Sequence, residues 1–188
     1  MIRKFATLFL SVLLIAGLMT NAWGDDTMVK KKKKKKLTAT SSNPIVKFET
    51  TRGSFTAELF SDVPLSTKNF VELVSSGFYN GIVFHRYVPG FVIQGGDPTG
   101  TGGGGSSKTI PLEIIPAHKH VTGALGMART NDPNSASSQF YVCLGDLPSL
   151  DGNYAVFGQV TEGMDNVMKL RQGDKMTKVT LVSSGASK

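Results

Sequence analysis

The sequence predicts a mainly β fold: a small, closed β-barrel of eight strands with two α-helices capping its ends. Three observations predict it. Eight short segments between Ile45 and Val182 carry strand character, several alternate apolar and polar residues with a period of two, and only two stretches show an apolar stripe at helical spacing. Closing such strands into a barrel removes exposed sheet edges, which a sandwich does only in part. At 188 residues and 40% apolar composition, the chain suits one domain with one substantial core.

That domain is assigned to residues 44–188, and two segments of a different kind precede it. Residues 1–24 read as a signal peptide: Arg3 and Lys4 lead into an apolar stretch, Phe5 to Met19, and Ala22-Trp23-Gly24 places small residues at a cleavage site. The mature chain then starts near Asp25, in the periplasm or secreted. An uncleaved membrane anchor is the competing expectation. The apolar stretch of 15 residues falls short of the roughly 20 a span needs, but positive charge just after an apolar segment tends to stay cytoplasmic. No Cys near the cleavage site offers an attachment point for a lipid.

Residues 25–43 carry Lys, Thr and Ser with few apolar residues and read as a Lys-rich disordered linker. The formal charge of +7 is located there, since Lys30 to Lys36 alone supply seven positive charges. From Pro44 to Lys188, 12 Lys and Arg balance 12 Asp and Glu, so the domain itself is formally neutral. The tract suits an anionic surface such as acidic lipid, cell-wall polymer or nucleic acid, or a self-repelling spacer. It has no assigned catalytic role.

Within the domain, Ile45 to Thr50 and Ser54 to Phe60 form the first strand pair, with Phe55, Ala57 and Leu59 set against Thr56 and Glu58. A helix follows, with Ser61 or Asp62 as cap, Pro64 in the first turn, an apolar stripe of Phe70, Val71, Leu73 and Val74, and Gly77 at the end. Strands over Ile82 to Val88 and Phe91 to Gln94 come next, and the Gly100 to Gly105 run reads as a flexible loop. Ala124 to Arg129, Gln139 to Leu144 and Tyr154 to Val160 are the next strands. The second helix spans about Glu162 to Arg171, with Met164, Val167, Met168 and Leu170 apolar and Gly173 beyond. Met176 to Val182 is the last strand. Both helical stripes are core-packing faces.

Several chemistries lack their residues. Of His85, His118 and His120, only the last two are close in sequence, and no Cys, Asp or Glu motif completes the three or four ligands of a zinc site. No metal is expected. The glycine run lacks the Lys-Ser/Thr ending of a phosphate loop, and no Gly-x-Ser-x-Gly elbow occurs. The one cysteine, Cys143, cannot form an internal disulfide and sits in an apolar strand, as a buried core thiol would.

Four segments together resemble one family. Phe84-His85-Arg86-Tyr87-Val88-Pro89-Gly90-Phe91-Val92-Ile93-Gln94-Gly95-Gly96-Asp97 is similar to the cyclophilin signature. The likeness continues through Gly123 to Arg129, Asn134 to Tyr141 and Leu150 to Gly158, and spans about Pro44 to Ser183. The Ala128-Arg129-Thr130 wording and the short loops look more like bacterial than animal members. The resemblance implies an eight-stranded antiparallel barrel capped by two helices. It also implies a peptidyl-prolyl cis-trans isomerase that assists folding and binds proline-containing peptides and folding exported proteins. A monomer without cofactor is expected.

Such chemistry needs no nucleophile. Rotation about an X-Pro bond loses amide resonance against a barrier of roughly 18–20 kcal/mol, and no bond is made or broken. The twisted transition state returns a lone pair to the prolyl nitrogen, so a donor aimed there binds it better than the planar ground state. By the resemblance, Arg86 is that donor. Phe91, Val92, Tyr141, Leu150 and Tyr154 would line the proline pocket, and Gln94 would hold the substrate carbonyl. The backbone of Ala128 and Arg129 would bond the peptide, and Gln139 would contribute at the pocket edge. In strand parity, Val92 and Gln94 share a face, as do Phe84 and Arg86.

Three positions depart from the family pattern. Ser149 stands where cyclosporin-sensitive members carry Trp, Tyr154 replaces a frequent His, and Arg129 replaces a frequent Asn. Loss of the Trp removes a large aromatic surface and an indole donor, so weak cyclosporin binding is expected. A second function class, a proline-peptide-binding or holdase module with little turnover, is separated from the isomerase by kinetics on an Ala-Pro peptide.

Overall fold

A computed structural model describes residues 42–182. Residues 1–24, expected as a signal peptide, and nearly all of residues 25–43, expected as a linker and including Lys30 to Lys36, lie outside the described residues. The elements are β1 (Ile45–Thr50), β2 (Gly53–Leu59), α1 (Pro64–Ser75), β3 (Phe84–Val88), β4 (Val92–Gly95), β5 (Ala124–Met127), β6 (Phe140–Cys143), a 3-10 turn (Pro148–Leu150), β7 (Val156–Glu162), α2 (Met164–Lys169) and β8 (Met176–Val182). All eight sequence-predicted strands and both helices are present.

The strands join in the order β3-β4-β6-β5-β7-β2-β1-β8, every neighbouring pair antiparallel. The sheet curls into a half-barrel. Its edge strands β3 and β8 share no ladder, so the expected strand-to-strand closure is not found. One isolated bridge, Val83 to Lys175, and backbone bonds such as Phe84 N–H to Asp174 O (2.8 Å) span the seam instead. On its other side, the register of β3 against β4 shifts between Phe84 and Arg86. A bulge of this kind bends a strand and re-aims the side chains beyond it.

The core fills the concave side. Phe48 stacks on Phe55 at 4.4 Å between ring centroids, and Phe70 from α1 meets Tyr79, Phe140 and Phe157 at 4.7–5.2 Å. With Phe84, these make seven fully buried aromatic rings, which supply much of the apolar driving force of a small domain. Phe70 is the residue by which α1 plugs one end of the curl.

Two helix boundaries differ from expectation. The N-cap of α1 is Val63, which has no side-chain cap, and Asp62 instead bonds His118 Nε2 at 2.9 Å. The capping work is done from a distance: Glu113 accepts the Leu65 and Ser66 N–H groups at 3.0 and 3.1 Å, placing a carboxylate at the positive end of the helix. α2 is shorter than Glu162 to Arg171. Glu162 still pairs with Thr56 in the sheet, and Gly163, with φ of 77°, makes the left-handed turn that starts the helix.

Candidate active site

The β3–β4 hairpin and the ends of β5 and β6 surround a cavity of about 260 Å³. Arg86 lies across from Gln94 in the hairpin, Gln94 across from Tyr141, and Tyr141 across from Gly126. Phe91 and Val92 follow the Pro89-Gly90 turn. Beyond the end of β5, Ala128 and Arg129 form another wall, and the 3-10 turn and the segment after it contribute Leu150 and Tyr154. Nine of the ten sequence-predicted residues line this one cavity. The tenth, Gln139, lies in the neighbouring cavity and acts on this one through Gln94.

Parity alone misplaces Arg86. Phe84 belongs to the barrel core, whereas Arg86 is exposed at the cavity, because the register shift between them breaks the alternation. The expected placement of Phe84 and Arg86 on one face is therefore corrected by the bulge between them.

A relay of side chains crosses the cavity edge. Arg86 Nη1 donates to Gln94 Oε1 at 3.3 Å, Gln94 Nε2 donates to Gln139 Oε1 at 2.9 Å, and Gln139 Nε2 donates to the carbonyls of Gly102 and Gly104 at 2.9 and 2.7 Å. The guanidinium also sits 5.8 Å from the Phe91 ring centroid. Gln94 is thus fixed with its carbonyl toward Arg86, and one of its two amide protons remains for a ligand.

The glycine run, expected as a flexible loop, is anchored. Asp97 is fully buried and its carboxylate accepts the backbone N–H groups of Thr99, Thr101, Gly102 and Gly104 at 2.6–3.1 Å. Burial pushes its carboxyl up, but the bonds from Thr99, Gly104 and Gly102 prevail and hold it well below the usual carboxylate range. A Cβ on Gly104 would stand 2.1 Å from Asp97 Oδ1, so only glycine fits. The loop amides are taken up by the protein's own carboxylate.

Tyr141 forms the cavity wall, and its polar end is buried. Its hydroxyl bonds His120 Nε2 at 2.9 Å, and His120 Nδ1 bonds Asp151 at 2.9 Å. Burial pushes the phenol pKa far up, keeping it a neutral donor. On the cleft side, Arg129 stacks over Tyr154 at 4.7 Å and donates to the carbonyls of Asn153 (2.8 Å) and Thr130 (2.8 Å). Ala128 N–H is already given to Gln139 O at 3.0 Å, so of the Ala128 peptide groups its carbonyl is the one left for a ligand. Burial pushes the Cys143 thiol up to about 12, which leaves it without thiolate character. Sequence reasoning missed His120, Asp151 and Gly126. A His followed 31 residues later by an Asp in a turn gives no local signal.

The lining is a largely apolar pocket with two guanidinium groups, the exposed Arg86 and the stacked Arg129, and one oriented amide at its edges, and it contains no Ser, Cys, His, Asp or Glu. Such a site can seat a compact apolar ring and donate hydrogen bonds beside it. The family model described as cyclophilin type peptidyl-prolyl cis-trans isomerase/CLD matches residues 45–185. A Helicobacter pylori peptidyl-prolyl cis-trans isomerase is 44% identical over 142 residues, covering 72% of this chain and 85% of the relative. An Aspergillus fumigatus peptidyl-prolyl cis-trans isomerase-like 1 is 44% identical over 130 residues, covering 66% and 80%. A Cryptosporidium parvum cyclophilin-type isomerase solved in the presence of the dipeptide Ala-Pro superposes with a TM-score of 0.69 at 34% identity, covering 74% of this chain and 99% of that one. With fold, pocket and sequence in agreement over the whole described domain, the chain belongs to the cyclophilin-type peptidyl-prolyl cis-trans isomerase family.

Proposed function

We propose that Arg86 drives the isomerisation of X-Pro bonds seated in the 260 Å³ pocket. The observation that carries this reading is the position of the guanidinium, at the lip of an apolar pocket and hydrogen-bonded to Gln94. A proline ring fits the pocket of Phe91, Val92, Tyr141 and Leu150. Gln94 holds the substrate carbonyl with its free amide proton, and Arg86 donates to the prolyl nitrogen as it pyramidalises. A hydrogen bond to a charged group is worth about 1.5–3 kcal/mol, or roughly 10- to 100-fold in rate. Positioning and desolvation supply the remainder. The related Cryptosporidium protein, solved in the presence of Ala-Pro, supports a proline dipeptide as the minimal ligand.

The clients we assign are exported proteins. The support is the leader-like sequence of residues 1–24, with Lys30 to Lys36 as a tether or an anionic-surface contact and residues 44–188 working as a monomer. Mass measurement of the mature N-terminus, with cell fractionation, tests this. An intact Met1 in a cytoplasmic fraction would refute it.

Kinetics on an Ala-Pro peptide with wild type and Arg86→Ala test the catalytic assignment. The variant is expected to lose roughly 10- to 100-fold in kcat/KM. Equal rates with retained peptide binding would leave only a proline-binding module.

A further inference from the structure

Beside the proline pocket lies a second cavity of about 310 Å³ that shares Gln94, Ala128 and Arg129 with it. Its other walls are Gln139, the Gly102–Ser106 segment and the hydroxyl side chains of Thr130, Ser135 and Ser137. Arg129 is the partition between the two spaces. Its bonds to the carbonyls of Asn153 and Thr130 and its stack on Tyr154 fix the guanidinium without neutralising it.

We infer that the cleft selects proline segments carrying an acidic side chain within two residues of the proline, with Arg129 as the specificity-determining charge. This deepens the isomerase reading and rests on it. The two cavities are lined by two arginines, Arg86 and Arg129, and by no carboxylate. Among the described residues, neither arginine is in a salt bridge. The acids nearby are engaged elsewhere. Asp151 is paired with His120 and Lys119, Asp97 is enclosed by its loop amides, and Asp132 accepts Asn134 N–H at 2.8 Å. Because residues 44–188 are formally neutral, the local positive charge belongs to the cleft rather than to the surface at large. One extended residue spans about 3.3–3.6 Å, so a side chain one or two residues from a seated proline reaches the second cavity. There it meets the Arg129 charge and hydroxyl groups.

The test measures affinity of the purified full chain for short Ala-rich peptides with one proline, by NMR titration. Glu, Ala or Lys is placed at each of two positions before and two after the proline. At one position the Glu peptide should bind about three- to tenfold tighter than the Lys peptide at low salt, with the gap narrowing at high salt. Arg129→Gln should at least halve that ratio, and Arg129→Lys should keep it; reading a ratio within each variant cancels losses common to both peptides. A ratio near one at every position overturns the inference. So does a ratio unchanged in Arg129→Gln, or one lost equally in Arg129→Lys, which would make Arg129 a clamp for Tyr154 and Asn153. Turnover of the Ala peptide tests the isomerase reading separately. Its absence would sink that reading, while the affinity order would still decide the charge preference.

Discussion

The Tyr141 hydroxyl and His120 Nε2 lie 2.9 Å apart behind the proline pocket, on a buried path that ends at Asp151. Bonds from the His120 backbone and ring hold the Asp151 carboxyl below its ordinary range, so it is an ionised acceptor. In the neutral ring, His120 Nδ1–H donates to it, Nε2 is left as acceptor, and Tyr141 donates. The same histidine accepts Leu147 N–H at its carbonyl, 2.7 Å away. One residue therefore ties the Tyr141 wall to the turn that carries Leu150.

Tyr141→Phe keeps the ring and deletes the donor. It strands His120 Nε2 in a site where the side chain is fully buried. Leaving a buried acceptor unsatisfied costs about 1–3 kcal/mol. Urea unfolding should show that loss as a lower midpoint at unchanged slope. A variant as stable as wild type would mean that His120 finds another partner.

Asp97 makes the loop wall of the second cavity depend on pH. Its folded pKa lies below the unfolded value of roughly 3.9, so the folded state binds fewer protons and the carboxylate stabilises the fold above that pH. That contribution is lost as pH falls through the folded value. Asp97→Asn should therefore destabilise the protein at pH 7 by about 1–3 kcal/mol, from loop amides left without an anion. The difference between wild type and variant should begin to narrow below about pH 4, where the unfolded wild-type chain takes up the proton first, and should vanish only below the folded value. Unfolding midpoints measured from pH 7 down to pH 2 check this; a constant difference over that range would contradict it.

The fold was legible because its signals are local. Phe55, Ala57 and Leu59 alternate on one strand, and each is buried in the observed β2. The places where strand reading overran are the places the site uses: β5 stops at Met127, which leaves the Ala128 carbonyl and Arg129 at the pocket wall, and Tyr154 precedes β7. The pocket residues were legible from the dense motif, whereas the face of Arg86 was not, since a bulge is set by pairing with β4. Long-range partners were equally hidden. Glu113 caps a helix 47 residues away from its own position, and no local pattern announces it.

Ser149 sits exposed on the 3-10 turn next to Leu150, and it offers cyclosporin neither ring surface nor indole N–H. Weak binding is expected. Ser149→Trp should strengthen it by about ten- to a hundredfold, the effect of burying roughly 60–100 Å² of indole at about 25 cal/mol per Å². Calorimetric titration of both proteins checks the step. Tight binding by wild type would show that the rest of the pocket suffices.

Gly126 explains how Tyr141 fits at all. A Cβ at that position would stand 2.3–2.4 Å from Cζ, Cε2 and the hydroxyl oxygen of Tyr141, and real contacts never come that close. The strands themselves are hydrogen-bonded in register here, so the backbone cannot easily yield. The side chain must move, and His120 blocks one direction while the pocket lies open on the other. Gly126→Ala should therefore push the phenol into the space for the proline ring, break the bond to His120 and raise KM for the peptide more than it lowers kcat. Restoring space with Gly126→Ala plus Tyr141→Phe should recover part of the affinity, because the phenol oxygen is one of the three clashing atoms. If the single variant binds peptide as wild type does, the Tyr141 wall is not held where the Gly126 contact places it.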